Sequence, residues 1–237
     1  MSLGELREFF AGRGYGFLCL TDHSQNVNAA QFALLTRNCR ELSAADFVFV
    51  PGLEYSCDGQ LHIMGLGIEA VTTETDPRVV IEHIHASGGI AVLAHPTKKD
   101  YIFAPEWIGL LDGMEIWNVS NDGKFLPQFS SVRMFLKFQA AYPHLRAFFG
   151  IDFHSAQGYY ETAIRLAGTN SHPADIMRAL RAGEYVCASR WLSCSAHPRW
   201  SCWRIGALWL LRTLLNGVRL ARNTVTAWLP TRQQSCI

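Results

Sequence analysis

Charge is scarce in this chain. Only 17% of its 237 residues are Asp, Glu, Lys or Arg, and the formal net charge is +1. That balance gives no electrostatic footprint for a nucleic-acid partner, so any phosphate recognition would have to be local. Long apolar runs are also missing, since none reaches the ~18 residues a membrane span needs. The start, Met1-Ser2-Leu3-Gly4-Glu5-Leu6-Arg7, lacks the basic-then-apolar order of a secretory leader and reads as a helix start. The 7 cysteines include no CxxC pair. Their odd number, with Cys19 inside an apolar run, predicts reduced thiols in a reducing, cytoplasmic compartment. No serine elbow, phosphate-cradling glycine loop or dinucleotide fingerprint is present, which removes three common enzyme classes.

Hydrophobic residues make up 49% of the chain, enough for one sizeable core, and a single α/β barrel is within range. The pattern alternates. Helices are predicted over residues 3–11, 26–42, 77–85, 128–141 and 173–181. Strands are predicted over 16–21, 46–50, 60–66, 90–94, 113–117, 147–151 and 163–167. Asp76-Pro77 opens a helix, because a proline at the first helical position loses no hydrogen bond. The wholly apolar run Ile90-Ala91-Val92-Leu93-Ala94 suits a parallel strand buried on both faces. Such alternation predicts a parallel α/β fold, as a barrel or an open sheet.

The character changes near residue 190, dividing the chain into residues 1–189 and a tail, 190–237. The tail carries Trp191, Trp200, Trp203 and Trp209, many arginines and no Asp or Glu. Residues 205–220 have a helical period, with Leu208, Leu211, Leu215 and Val218 on one face and Arg212, Arg219 and Arg222 mostly off it. This basic amphipathic helix either packs its apolar face on the domain or meets a membrane surface or partner.

Acids and histidines gather at the ends of the predicted strands. Gly16–Leu20 leads into Thr21-Asp22-His23, and Phe47–Val50 into Pro51-Gly52-Leu53-Glu54. His62 lies in Leu61-His62-Ile63-Met64-Gly65. Gly88–Ala94 leads into His95-Pro96, and Phe148–Ile151 into Asp152-Phe153-His154. Strand ends are where α/β enzymes place catalytic groups. Gly52 is read as a sharp backbone turn that presents Glu54. In an extended chain Asp152 and His154 point to one side, so both reach one metal or two adjacent ones. Imidazole and carboxylate donors suit Zn, Mn or Fe. His83 and His85 would point ~200° apart on a helix and are read as surface residues. His144, His172 and His197 receive no role. Asn118 is placed at the site's edge, and Lys98 and Lys99 are candidates for charge toward a phosphate.

These stretches, in this order and together with Gly113-Met114-Glu115-Ile116-Trp117-Asn118, resemble the PHP (polymerase and histidinol phosphatase) family. The resemblance covers roughly residues 5–185. It implies a distorted (β/α)7 barrel holding two or three divalent metal ions at the C-terminal ends of its strands. It also implies phosphoester hydrolysis on a nucleotide, a nucleic-acid end or a small phosphorylated metabolite. By that resemblance His23, Glu54, His62, His95, Asp152 and His154 are metal ligands, and Asp22 handles protons or orients ligands beside them. Family members usually begin with a strand bearing His-x-His, and no His precedes His23 here. The expectation is therefore a barrel lacking its first strand, in a truncated fragment or a non-catalytic relative whose tail binds a membrane or partner. A metal-dependent amide or deamination hydrolase is the third reading.

Overall fold

The structure, a computed structural model, describes residues 1–97, 105–168 and 172–228. Lys98 and Lys99 lie outside the described residues. Two compact units divide the chain, Met1–Pro198 and Arg199–Ile237.

The first unit opens with α1 (Leu3–Ala11), started by a reciprocal capping pair between Ser2 and Glu5. After it come β1 (Phe17–Cys19), β2 (Asp22–His23) and α2 (Ala29–Leu42), the last capped by Asn28 with Gln31. Next are β3 (Val48–Val50), β4 (Gly52–Cys57) and β5 (Leu61–Leu66). Asp76 caps α3 (Pro77–Ala86), which leads to β6 (Ile90–Leu93). The short α4 (Pro105–Ile108) precedes β7 (Gly113–Asn118) and α5 (Val119–Asp122). Then follow α6 (Phe129–Ala141), β8 (Arg146–Gly150), β9 (Thr162–Leu166) and α7 (Pro173–Ala182). The unit closes with β10 (Tyr185–Ser189) and β11 (Ser193–Ser195).

Six strands form one sheet in the order β2-β4-β5-β6-β7-β8. The β1–β3 pair extends it, because Phe17 faces Val48 and Asp22 faces Leu53 with the same offset in sequence. The ladder breaks between the two pairs at Pro51, which has no N–H to donate. Leu20 N–H still reaches the Val50 carbonyl, at 2.9 Å. β6, β7 and β8 run parallel, and β6 and β7 are buried throughout, as their apolar composition requires. α3 packs on β5 and β6, and α6 on β7.

Three features bear on the sequence reading. β5 is antiparallel to both neighbours, because the turn at Asp58–Gln60, with Gly59 at φ 73°, folds it back on β4 as a hairpin. The sheet is therefore mixed, not wholly parallel. The strands also fall into separate sheets, with β9, β10 and β11 in an antiparallel sheet of their own, so the hydrogen bonding does not draw a closed (β/α)7 barrel. Residues Phe17–His23 and Phe148–His154, from the two ends of the strand order, line one cavity of about 1080 Å³. Finally, residues 193–195 pair with β10, although their composition groups them with the tail. Cys194 and Ala196 are buried, and the Ala147 N–H bonds the Ala196 carbonyl at 2.8 Å. Small residues of alternating exposure in 193–196 are an edge strand's pattern, which arginine and tryptophan neighbours obscured.

The second unit holds α8 (Cys202–Trp228), whose 27 residues span about 40 Å. It starts before and ends after the predicted 205–220. Trp203, Leu210, Leu214 and Val218 are exposed on one face, while Leu208 and Arg212 are buried. Of the predicted apolar face, Leu211 and Val218 are exposed and Leu208 is buried. No helix among the described residues is long and apolar enough to cross a membrane.

Candidate metal centre

Glu54 is the hub of the polar cluster. It is the third residue of β4, is 7% exposed and stands directly beside His23 in the parallel β2–β4 register. Its Oε1 is hydrogen-bonded to His62 Nδ1 and, at 3.2 Å, to His95 Nε2. Its Oε2 lies 4.0 Å from His23 Nδ1. His23, Glu54 and His62 each offer a ligand atom, and these atoms all lie within 4.8 Å of one another. The antiparallel course of β5 explains His62. As that strand's second residue it reaches the same end of the sheet as His23, which ends β2, and His95, which follows β6.

Burial alone would push the Glu54 carboxyl up. The hydrogen bonds from His62 and His95, and the charge on those rings, outweigh it and hold the group at about 2. A buried anion facing three imidazoles is the donor chemistry of a divalent-metal site. His23 supplies an independent sign, because its Nδ1 is buried with no hydrogen-bond partner among the described residues. Such an orphaned nitrogen needs a ligand, and a metal ion is one that imidazole takes readily.

The other candidates surround this trio. The His95 ring lies 5.0 Å from that of His62. The His154 ring lies 6.3 Å from that of His23, and His154 Nδ1 is 3.3 Å from Asp152 Oδ1. Asp152 and His154 follow β8 rather than extending it. Asp152 has φ 53°, so a turn, not strand alternation, brings the pair together. Asp22 stands next to His23 on β2 but makes no hydrogen bond or ion pair to the six candidate ligands among the described residues. Its charge reaches Cys39 on α2. On a strand, neighbouring side chains take opposite faces, which puts Asp22 off the face that carries His23.

Two more histidines settle as surface groups. His83 meets the Ala70 carbonyl at 3.1 Å, and His85 meets Asp112 at 2.8 Å.

Glu115 lies in the motif Gly113–Asn118, where sequence reasoning assigns it no role. It is 2% exposed inside β7, and burial, its largest influence, pushes the carboxyl up to about 8. Hydrogen bonds from Asn118 and from the His95 backbone oppose that rise, and the nearby Asp152 and Glu54 charges add to it. The signal was present in the sequence. An acid enclosed by Met114, Ile116 and Trp117 in a buried strand rarely survives without a partner.

No family model matches the sequence, and no curated protein matches it. Solved structures do. One is a two-domain protein from Bacteroides vulgatus containing a predicted PHP-like metal-dependent phosphoesterase, at 15% identity and TM-score 0.51 over 76% of this chain. This chain shares its fold with that PHP-like protein. A second match, from Bifidobacterium adolescentis and assigned by prediction as a metal-dependent phosphoesterase, has 15% identity and TM-score 0.51 over 75% of this chain. A third, PsfC from Pseudomonas syringae, has 11% identity and TM-score 0.52 over 73%. The matches cover 59%, 89% and 78% of those three chains, respectively.

Proposed function

We propose that this chain is a metal-dependent hydrolase that cleaves a phosphate ester. The observation that carries the reading is the convergence of His23, Glu54 and His62 ligand atoms within 4.8 Å, with His95 bonded to the same carboxylate. Asp152 and His154 add donors to this set, lining the same cavity as His23 and Glu54 with the His154 ring 6.3 Å from that of His23. Two or three divalent ions, Mn, Zn or Fe, fit such imidazole and carboxylate donors. Metal held there supplies Lewis-acid polarisation of a phosphoryl oxygen and acidifies the attacking water. The residues' own task is to fix those donors. Glu54 stays ionised, and the hydrogen bonds to His62 and His95 orient their rings.

The cavity of about 1080 Å³ admits a phosphorylated metabolite or a nucleotide. The test is a panel of phosphate esters and amides, assayed with Mn or Zn supplied. Hydrolysis of phosphate esters alone is expected, and Asp152→Ala and His154→Ala are expected to lose it by roughly 100-fold or more. Turnover of amides alone would transfer the site to the amide hydrolases.

A second reading concerns the tail. The exposed Trp203, Leu210, Leu214 and Val218 stripe, in a segment without Asp or Glu, suits the surface of an anionic bilayer. The full chain is expected to co-sediment with phosphatidylserine vesicles, and Trp203→Ser with Leu214→Ser is expected to release it. Equal sedimentation of the double variant would remove this reading.

A further inference from the structure

Two non-glycine residues of the site hold a left-handed backbone. His95 has φ 28° and Asp152 has φ 53°. A left-handed backbone is costly for a residue with a side chain unless its surroundings enforce it. The enforcing contacts come from one short stretch of chain, residues 115–122. Glu115 Oε2 accepts the His95 backbone N–H at 2.7 Å and Asn118 Nδ2–H at 2.9 Å. Asn118 Oδ1 accepts from the Asn121 backbone N–H at 3.1 Å and from Asn121 Nδ2–H at 3.0 Å. Asn121 Nδ2 also donates to Asp152 Oδ2, at 3.0 Å, and Ser120 Oγ donates to the Asp152 carbonyl at 2.9 Å. Asp122 Oδ2 anchors the run by accepting the Asn118 backbone N–H at 3.1 Å.

The chain of bonds is therefore continuous from His95, through Glu115, Asn118 and Asn121, to Asp152. It joins the two walls of the site through residues that carry no metal-ligating nitrogen. The remaining Glu115 oxygen, Oε1, lies against Gly150 so closely that any side chain there would collide with it. That contact fixes the carboxyl's position from the β8 side.

We propose that Asn118 and Asn121, acting through Glu115, are positioning residues. They set the backbone of His95 and the carboxylate of Asp152 as one unit, so that the two sides of the metal centre keep a constant separation. This rests on the metal-dependent reading above, and it assigns the spacing of the centre to residues outside the ligand set. Asn121 is the lever for a test, because it is exposed and its replacement leaves the buried Asn118 cap in place. One Asn121 amide group donates to Asp152 and to Asn118, so its loss frees the carboxylate to rotate.

The experiment titrates metal-free full-length protein with Mn(II) alone, by calorimetry. It compares the wild type with Asn121→Ala, with the similar-sized Asn121→Leu and with Phe125→Ala, an exposed change in the same segment. The expected result is a 10–100-fold weaker Kd for both Asn121 variants, as for other partners that orient metal ligands. Phe125→Ala should match the wild type, and the thermal midpoint of every metal-free variant should be unchanged. Wild-type binding with undiminished affinity in the Asn121 variants overturns the positioning role and leaves the metal reading standing. Weakening that appears equally in Phe125→Ala, or that tracks a lowered metal-free midpoint, also overturns it. A wild type that binds no Mn(II) overturns the metal reading, and the positioning role with it.

Discussion

Glu54→Gln is expected to reduce metal affinity by more than ~100-fold, the largest loss of any single change in the site. The reason is topological as much as chemical. Changes in groups that merely orient metal ligands already cost 10–100-fold. Glu54 instead touches His62 and His95 with one oxygen and approaches His23 with the other. The amide keeps the shape but removes the charge and one acceptor. The three imidazoles then face a neutral group, and the anion that links His23 to His62 in the ligand set is gone.

The same substitution tests the carboxyl's ionisation in metal-free protein. Glu54 is held near 2, below its ordinary 4.5. A depressed carboxyl adds stability that is present above 4.5 and is lost as the pH falls toward 2. Between those values, urea midpoints of the wild type should fall more steeply with acid than those of Glu54→Gln. Parallel curves would show that the carboxylate gains nothing from its histidines.

Gly52→Ala is expected to lower folding stability by about 3 kcal/mol, at the top of the range for overpacking. A Cβ at Gly52 would collide with the Gly65 carbonyl oxygen on β5 and come within 2.7 Å of the Leu20 carbonyl oxygen. Both obstacles are main chain, one in β5 and one in the link between β1 and β2, so neither can swing away as a side chain would. The collision lies two residues before Glu54 and would push β4 off β2 and β5 together. Gly16→Ala is the matched control, since a Cβ there would meet nothing within 4 Å and its backbone is not left-handed. It should be neutral or slightly stabilising, through the lower entropy of the unfolded chain. Urea denaturation of the two variants decides the point. Equal midpoints would show that β4 has room the structure does not display.

Gly52 also shows where sequence reasoning stops. The glycine before Glu54 was legible as a constraint, but its cause was not. A turn was the natural reading, whereas its backbone lies outside the left-handed region and the constraint is the close approach of two neighbouring strands. Such an approach depends on pairing partners far along the chain, which local pattern does not encode. His62 is similar. Its membership of the site was readable only from the order of motifs, because its place at the start of a reversed strand depends on the hairpin at Gly59. The buried runs around Val92 and Met114 were plain from composition alone. β10 and β11 were not, since short strands of mixed exposure carry little periodic signal. Glu115 was visible as an anomaly in an apolar strand, but only its bonds to His95 and Asn118 give it a purpose.

The most direct test of the central claim is a calorimetric titration of metal-free, full-length wild type with Mn(II) and Zn(II), run beside Glu54→Gln. Saturable binding to the wild type, with stoichiometry of at least one ion and loss in the variant, is the predicted result. Absence of saturable binding by the wild type, or identical binding by Glu54→Gln, would contradict the assignment of His23, Glu54 and His62 as a metal centre.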